Sequence, residues 1–393
     1  MRAALFLSFC LSITSAGPAF AQACGNPNDN EPDDAALQAC LDRGGIVVLD
    51  PGEPGYIING LNGDRARGLW ITQAGTTITS SAAPTRAKIV AGRDLFAHIL
   101  RTPPNTRVDN ISIEYVTING MIDAEGGTYR VARDQCTDPG RRRRHLVRSS
   151  DLNPGNLVLE SVGLRFQHNE TLQALCGSGL ALLGQFDVQD NYIAYNGRDR
   201  LSGGLGTPWS DGVTVLGCNS GSYLAHNSFV DNTDIALALG GGNGCIFELN
   251  TIVQSGRYAF AGINVGNFST GDHSGSEVRG NTVDCPVPDR LGMGILVGSH
   301  PWSAAVPVFN AGTVVSNTVQ GAVINLIIEG IDAGTVSDIT ASGNQGSLGF
   351  GTCTISQNYT AFHFGNAVIP PNPFFLLFDN QTCQPVRRHR RPR

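Results

Sequence analysis

The sequence predicts an all-β chain that winds as a parallel β-helix behind a short capping helix at its N-terminus. Three observations predict it. First, a segment recurs at a fixed interval. Asp211-Gly-Val-Thr-Val-Leu-Gly leads to Tyr223-Leu-Ala-His-Asn227-Ser-Phe-Val, and 23 residues on Asp234-Ile-Ala-Leu-Ala-Leu-Gly leads to Ile246-Phe-Glu-Leu-Asn250-Thr-Ile-Val. Second, asparagines punctuate apolar strands at Asn110, Asn119, Asn191, Asn227, Asn250, Asn281 and Asn317. Third, aliphatic runs keep step with them: Val213-Thr-Val-Leu-Gly, Ala236-Leu-Ala-Leu-Gly, Gly262-Ile-Asn-Val-Gly, Gly294-Ile-Leu-Val-Gly and Ile324-Asn-Leu-Ile-Ile. A period in the twenties made of short strands is one solenoid coil per repeat. It places Asp211 and Asp234 on neighbouring coils, roughly 5 Å apart along the axis.

The elements follow in order. Residues 1–21 have the features of an export signal: Arg2, an apolar Ala3 to Thr14, and Ala19-Phe20-Ala21 before the expected cut. That stretch is short for a bilayer span, and no later window approaches one. The mature chain is therefore expected to be secreted or periplasmic, without a membrane span, and monomeric. Residues 22–383 form the expected β-helix domain, with the cap at about 30–45, and 384–393 a basic disordered tail. In the cap, Asp33 or Asp34 can start a helix whose Leu37, Cys40 and Leu41 share one face, and Gly44 can end it. Ile46-Val-Val-Leu is then a strand running into Pro51-Gly. Where the spacing exceeds one coil, residues 123–155, 197–209, 267–276 and 299–311 are insertions, and loops that project from a rigid rod usually form its binding face.

Composition narrows the function classes. Net charge is −6, falling to −7 once Arg2 is removed, and Lys88 is the sole lysine. The basic runs Arg141–His145 and Arg387–Arg393 lack interleaved aromatics, so nucleic-acid binding is not expected. Export makes disulfides plausible. Sequence order suggests Cys24–Cys40, Cys136–Cys176, Cys218–Cys245 and Cys353–Cys383, with Cys285 left over. The pair Cys218–Cys245 is the best founded, because its cysteines end equivalent segments of adjacent coils. No zinc spacing occurs.

The cap residues Asp33-Asp34-Ala-Ala-Leu-Gln-Ala-Cys-Leu41, then Gly44-Gly-Ile-Val-Val-Leu, Pro51-Gly and Tyr56-Ile-Ile resemble the N-terminal cap and first coil of pectate-lyase-like proteins. The resemblance implies a right-handed, single-stranded parallel β-helix over most of residues 30–350. It implies no one activity.

The residues ahead of the aliphatic runs read Ser210-Asp211, Thr233-Asp234, Arg257-Tyr258 and Arg290-Leu291, and the 197–209 insertion adds Arg198, Asp199, Arg200 and Trp209. Two acids, several arginines and an indole at one edge compose a sugar-binding groove: Trp209 can stack on a pyranose, and arginine can pair with a uronate carboxylate. In hydrolysis Asp234 is the acid, its proton held by the neighbouring charge of Asp211. Trp209-Ser-Asp-Gly…Asn232-Thr-Asp-Ile-Ala-Leu resembles the catalytic segment of polygalacturonase-type hydrolases. Thr233 stands where that family has an aspartate, and Ser255-Gly256-Arg257 where it has Gly-His-Gly. Only Asp211 and Asp234 carry over.

Two alternatives stay open. A polysaccharide lyase or C5-epimerase would use Ca²⁺ on Asp211 and Asp234, with Arg257 or Tyr258 as base or acid; the hydrolase needs no cofactor. A non-catalytic glycan-binding or surface scaffold would use the aspartates as turn caps. The expected partner in each case is a polysaccharide. Arg198, Asp199, Trp209 and Arg290 are the expected substrate-binding residues. His168 is expected to be structural.

Overall fold

The computed structural model describes residues 24–121, 154–175, 177–197, 209–266, 272–287, 290–298, 309–322, 324–328, 331–342 and 353–358. The export signal, the tail and the expected bridges Cys136–Cys176 and Cys353–Cys383 lie outside these residues or rest on side chains outside them. Within them 27 strands join in one hydrogen-bonded system. Pairing is parallel except between Ile331–Ser342 and Cys353–Asn358. The chain is a right-handed parallel β-helix, the hand that twisted strands with parallel crossovers adopt.

In the central coils each turn contributes three strands to three sheets, while Leu157–Gln167 and Ser178–Gln189 each run unbroken through two of them. One coil carries Asp211–Cys218, Tyr223–Ala225 and Ser228–Val230. The next carries Ile235–Leu239, Ile246–Glu248 and Thr251–Val253. A third carries Ala259–Val265, Glu277–Arg279 and Thr282–Asp284. The sheet headed by Asp211–Cys218 is called the front sheet here. Its interior column runs Val213↔Leu237↔Ile263↔Ile295, and all four residues are fully buried. Phe229 and Phe247 fill the interior from the other two sheets. The aliphatic runs are thus the strands that the sequence predicts.

The corner between the second and third sheets explains the asparagines. The residue before each is left-handed: His168 (φ 58°), Asp190 (56°), His226 (58°), Leu249 (54°), Gly280 (63°) and Ser316 (55°). That bend leaves backbone groups without a partner in the ladder, and stacked amides supply one. The Asn250 Oδ1 accepts from the Asn227 N–H (3.1 Å) and Asn227 Nδ2 (3.0 Å). Its Nδ2 donates to Leu224 O (3.1 Å) and to the Asn281 Oδ1 (2.9 Å). Asn191, Asn281 and Asn317 repeat the pattern. Two expected members differ. Asn110 is itself left-handed at φ 58°, and the Asn119 Oδ1 caps Met121 N. Asn169 takes the early place instead, receiving Val116 N (3.0 Å) and donating to Ile113 O (2.7 Å). His168 is structural: its ring stacks on Tyr115 at 5.0 Å and its carbonyl accepts from Arg86.

The cap is the helix Asp34–Arg43, with Leu37, Cys40 and Leu41 buried and Gly44 closing it at φ 68°. Its aspartates act differently from expectation. Asp33 makes no side-chain cap bond; it accepts from Asn26 N and Ile57 N, and Asp34 accepts from Asn59 N and Gly60 N. They fasten the helix to the first coils. The bridges Cys24–Cys40 and Cys218–Cys245 are present, and Cys285 is a buried free thiol. No helix among the described residues is long and apolar enough to cross a membrane.

Removing one ladder amide strands several buried partners at once. Asn250→Ala should therefore cost about 3 kcal/mol or more, as each unsatisfied buried group costs about 1–3 kcal/mol. Urea unfolding read as a shift of midpoint at constant slope checks this.

Candidate active site

The two aspartates sit at the entrance to the front sheet, but not in the register that the 23-residue repeat implies. In the second and third sheets Tyr223 pairs with Ile246 and Ser228 with Thr251, which is that repeat. In the front sheet Val213 pairs with Leu237, one residue more. Counting back, Asp211 lies opposite Ile235, and Asp234 lies one step earlier, opposite Ser210, to whose carbonyl its N–H donates (3.2 Å). The carboxyls are offset diagonally on adjacent coils, close enough for the charge of Asp211 to act on Asp234.

A column of small residues sets this register. Gly179, Gly212, Ala236, Gly262 and Gly294 occupy one position on five successive coils. A Cβ on Gly212 would lie 2.4 Å from Ala236 O and 2.9 Å from Phe229 Cδ1. A Cβ on Gly294 would lie 2.2 Å from Val319 Cγ1. The chain approaches the interior too closely there for a larger side chain, so the residue just before is anchored at the strand start. In the coil of Asp211 it is the aspartate itself.

The two carboxyls have opposite surroundings. Asp211 Oδ2 accepts from Thr214 Oγ1 at 2.5 Å, and its Oδ1 accepts from Ile235 N at 3.1 Å. The Thr214 hydroxyl also meets Ser178 Oγ at 2.6 Å. Asp234 has no side-chain hydrogen bond to a described residue; its backbone carbonyl takes Phe260 N and Ala261 N. Each aspartate keeps some solvent exposure as a residue, while its carboxyl is enclosed by protein. Burial pushes Asp211 up to about 6, against the lowering effect of its two donors. Burial, and then the charge of Asp211, holds Asp234 well above the usual carboxylate range. Both carboxyls are raised, Asp211 against two hydrogen-bond donors and Asp234 against none among the described residues, an asymmetry that suits one of two neighbouring carboxyls to act as acid and the other as base.

Of the other expected residues, Trp209 comes just ahead of Ser210 and Asp211. It packs against the hydrophobic core with its ring 6.2 Å from that of Phe260. Phe260 was not foreseen. The sequence column Thr233-Asp234, Arg257-Tyr258 puts Tyr258 in line with Asp234; in the structure Ile235 pairs with Ala261, which puts Phe260 there. Aligning Gly262 with Ala236 and Gly212 would have found it. Arg257 and Tyr258 instead lie in the preceding corner, both half-buried. Arg257 Nη1 donates to Tyr195 O (2.7 Å) and Gly197 O (2.5 Å), and the guanidinium lies 5.3 Å from the Tyr195 ring centroid. This holds it across the coil stack as a clamp. The corner itself is pinned by Asp231, whose Oδ1 accepts from Ser255 N and Gly256 N. Arg290 gives its carbonyl to Ala259 N. Arg198 and Asp199 lie outside the described residues. Among the described residues no group of three or more His, Cys, Asp or Glu is placed to hold a metal ion. Two carboxyls alone fall short of the six to eight oxygens that Ca²⁺ takes.

No protein-family model matches the chain, and no curated protein matches it. Solved structures do. A tailspike protein of Escherichia coli bacteriophage HK620, in complex with a pentasaccharide, has 13% identity at a TM-score of 0.51, over 81% of this chain and 54% of the tailspike. The chain thus spans about half of that protein's length. PfbA, a surface adhesin of Streptococcus pneumoniae, is 12% identical at a TM-score of 0.42, over 81% of this chain and 87% of its own. A mannuronan C-5 epimerase A-module from Azotobacter vinelandii is 14% identical at 0.42, over 81% and 92%. At such identities the likeness is one of fold, a parallel β-helix.

The sign of the pH dependence follows from the raised carboxyls. An acid whose folded-state pKa lies above its unfolded value contributes stability that is full below that value, near 3.8, and lost as pH rises through the folded one, about 6 for Asp211. Asp234→Asn should therefore raise the thermal midpoint at pH 8 and leave it nearly unchanged at pH 4. Scanning calorimetry at the two pH values checks both.

Proposed function

We propose that the protein is an exported polysaccharide-active enzyme that cleaves a glycosidic bond with Asp234 as general acid and Asp211 as general base. The observation that carries this reading is the asymmetry of two enclosed carboxyls on adjacent coils: among the described residues one holds two hydrogen-bond donors, the other none. Asp234 gives its proton to the leaving glycosidic oxygen as the C–O bond breaks. Asp211 takes a proton from the water that adds to the anomeric carbon. The net change is one water consumed, and the pair returns to its starting state by proton exchange with solvent. Trp209 and Phe260 supply an aromatic edge on which a sugar ring can stack beside the pair.

The fold supports a glycan partner, since the tailspike that shares it was solved with a bound pentasaccharide. The bridges Cys24–Cys40 and Cys218–Cys245 support export to an oxidising compartment. Elimination or epimerisation is less well served. It requires neutralisation of a uronate carboxylate, and the cation best placed for that, Arg257, is held by Tyr195 and Gly197.

A panel of acidic and neutral polysaccharides, assayed for new reducing ends and for the absorbance of an unsaturated uronate, tests the reaction class. Reducing ends without that absorbance are expected. Asp211→Asn and Asp234→Asn should each lower turnover by about 10²-fold or more, the size of a general acid or base contribution, with folding retained. Absorbance appearing with the reducing ends would make the enzyme a lyase, and silence on every glycan would favour a binding scaffold.

A further inference from the structure

We propose that Thr214, backed by Ser178, is the positioning residue that decides which aspartate of the pair carries the charge and which the proton. The inference rests on the acid/base reading for its catalytic meaning, and on geometry alone for its physical content.

A threonine hydroxyl has one hydrogen to give. At 2.5 Å from Asp211 Oδ2, Thr214 spends it on that carboxylate. The 2.6 Å contact between Thr214 Oγ1 and Ser178 Oγ must then run the other way, with the Ser178 hydroxyl donating to Thr214. The result is a directed chain from Ser178 through Thr214 to Asp211, in which each hydroxyl polarises the next. Two positions of the front sheet, three residues apart, make it. Ser178 sits directly opposite Asp211 on the preceding coil, and Thr214 pairs with Ala181 there and with Ala238 on the following coil. The small alanines on both sides leave Thr214 room to lean back along its own strand towards Asp211. The Ile235 N–H closes the second oxygen, so both oxygens of the Asp211 carboxylate are held.

Among the described residues Asp234 receives none of this. The charged and titratable groups on the elements packed around the pair do not replace it. Asp187, on the strand Ser178–Gln189, is bonded to Gln167 and Gln189 in the second sheet. Arg257, in the corner ahead of Ala259–Val265, turns back to Tyr195 and Gly197. Tyr258 shares that corner, and Arg290, ahead of Leu291–Val297, stands three coils beyond Asp211. The charge of Asp211 itself acts on Asp234. Two like carboxyls so placed do not both ionise readily. Donors on one of them determine the order in which they do.

The test uses the full-length protein with ¹³Cγ-labelled aspartate, the two resonances being assigned with Asp211→Asn and Asp234→Asn and titrated by NMR. In the wild type, Asp211 should lose its proton at lower pH than Asp234. Thr214→Val, which keeps the shape and removes the hydroxyl, should raise the Asp211 midpoint by about one pH unit or more, the size of a hydrogen bond to a charged group. Thr214→Ser should restore it. Ser178→Ala, which reaches the pair only through Thr214, should move it the same way by less, and carries the test if Thr214→Val does not fold. An Asp211 titration unmoved by Thr214→Val or by Ser178→Ala overturns the inference, as does failure of serine to rescue. With a substrate in hand, Thr214→Val should move the acidic limb of the kcat profile upward while KM stays constant. The NMR readout needs no substrate. A protein inert to every glycan but with the expected titrations would lose the proposed function and keep this inference; an active enzyme with unmoved titrations would do the reverse.

Discussion

Everything in this molecule depends on the obligation of each coil to satisfy the backbone of the next. Apart from the antiparallel pair Ile331–Ser342 and Cys353–Asn358, the described strands have no local partner, so the N–H and C=O groups of a strand are met one coil away. Straight strands meet the obligation with one another. Corners cannot, and their left-handed residues turn backbone donors out of line. The buried amide stack from Asn169 to Asn317 takes over there. A shorter stack of the same kind, in which Asn196 Nδ2 donates to Asn232 Oδ1, holds the corner that leads to the aspartates. The carboxyl pair is positioned by its backbone because that corner has no freedom of its own.

Much of the fold was legible because it is written in residues with one physical use. An asparagine flanked by aliphatics in a strand has little reason to be buried except to serve backbone, and alternation of Val, Leu and Ile gives the strands directly. The ladder member Asn169 was harder to see, since Phe166-Gln-His-Asn presents a histidine that draws attention first. Asn196 and Asn232 were missed because one of them is followed by a long insertion that hides the repeat. The pairing Cys218–Cys245 was legible from equivalent positions on adjacent coils.

The site was legible in part. Asp211 and Asp234 stand out by recurrence, and Trp209 by its place next to the first of them. Their exact geometry was not, because the coils are unequal: the front sheet is one residue out of phase with the other two. That phase is recorded in the glycines, whose column only becomes meaningful once the close approach to Phe229 and Val319 is known. Arg257 looked like a ligand for substrate because a lone arginine near two acids invites that reading. Its actual partners are the carbonyls of Tyr195 and Gly197, which no side-chain pattern announces. Thr214 looked like an ordinary strand residue, since threonine favours strands whatever its hydroxyl does.

The phase difference between the sheets has to be absorbed somewhere, and the absorbing corner is the one the disulfide closes. Cys218 pairs with Gly242, whereas Tyr223 pairs with Ile246, so one coil spends one residue fewer than its neighbour in rounding the bend. The Cys218–Cys245 bond spans that bend, with Cα atoms 6.5 Å apart. The rod is therefore unevenly tolerant of change in length. A single residue gained or lost between Cys218 and Ile246 would slide the aspartate column against the asparagine column, a constraint the loops that project from the rod do not share. Homologues with their chemistry at this place should differ in loop length everywhere except across that bend.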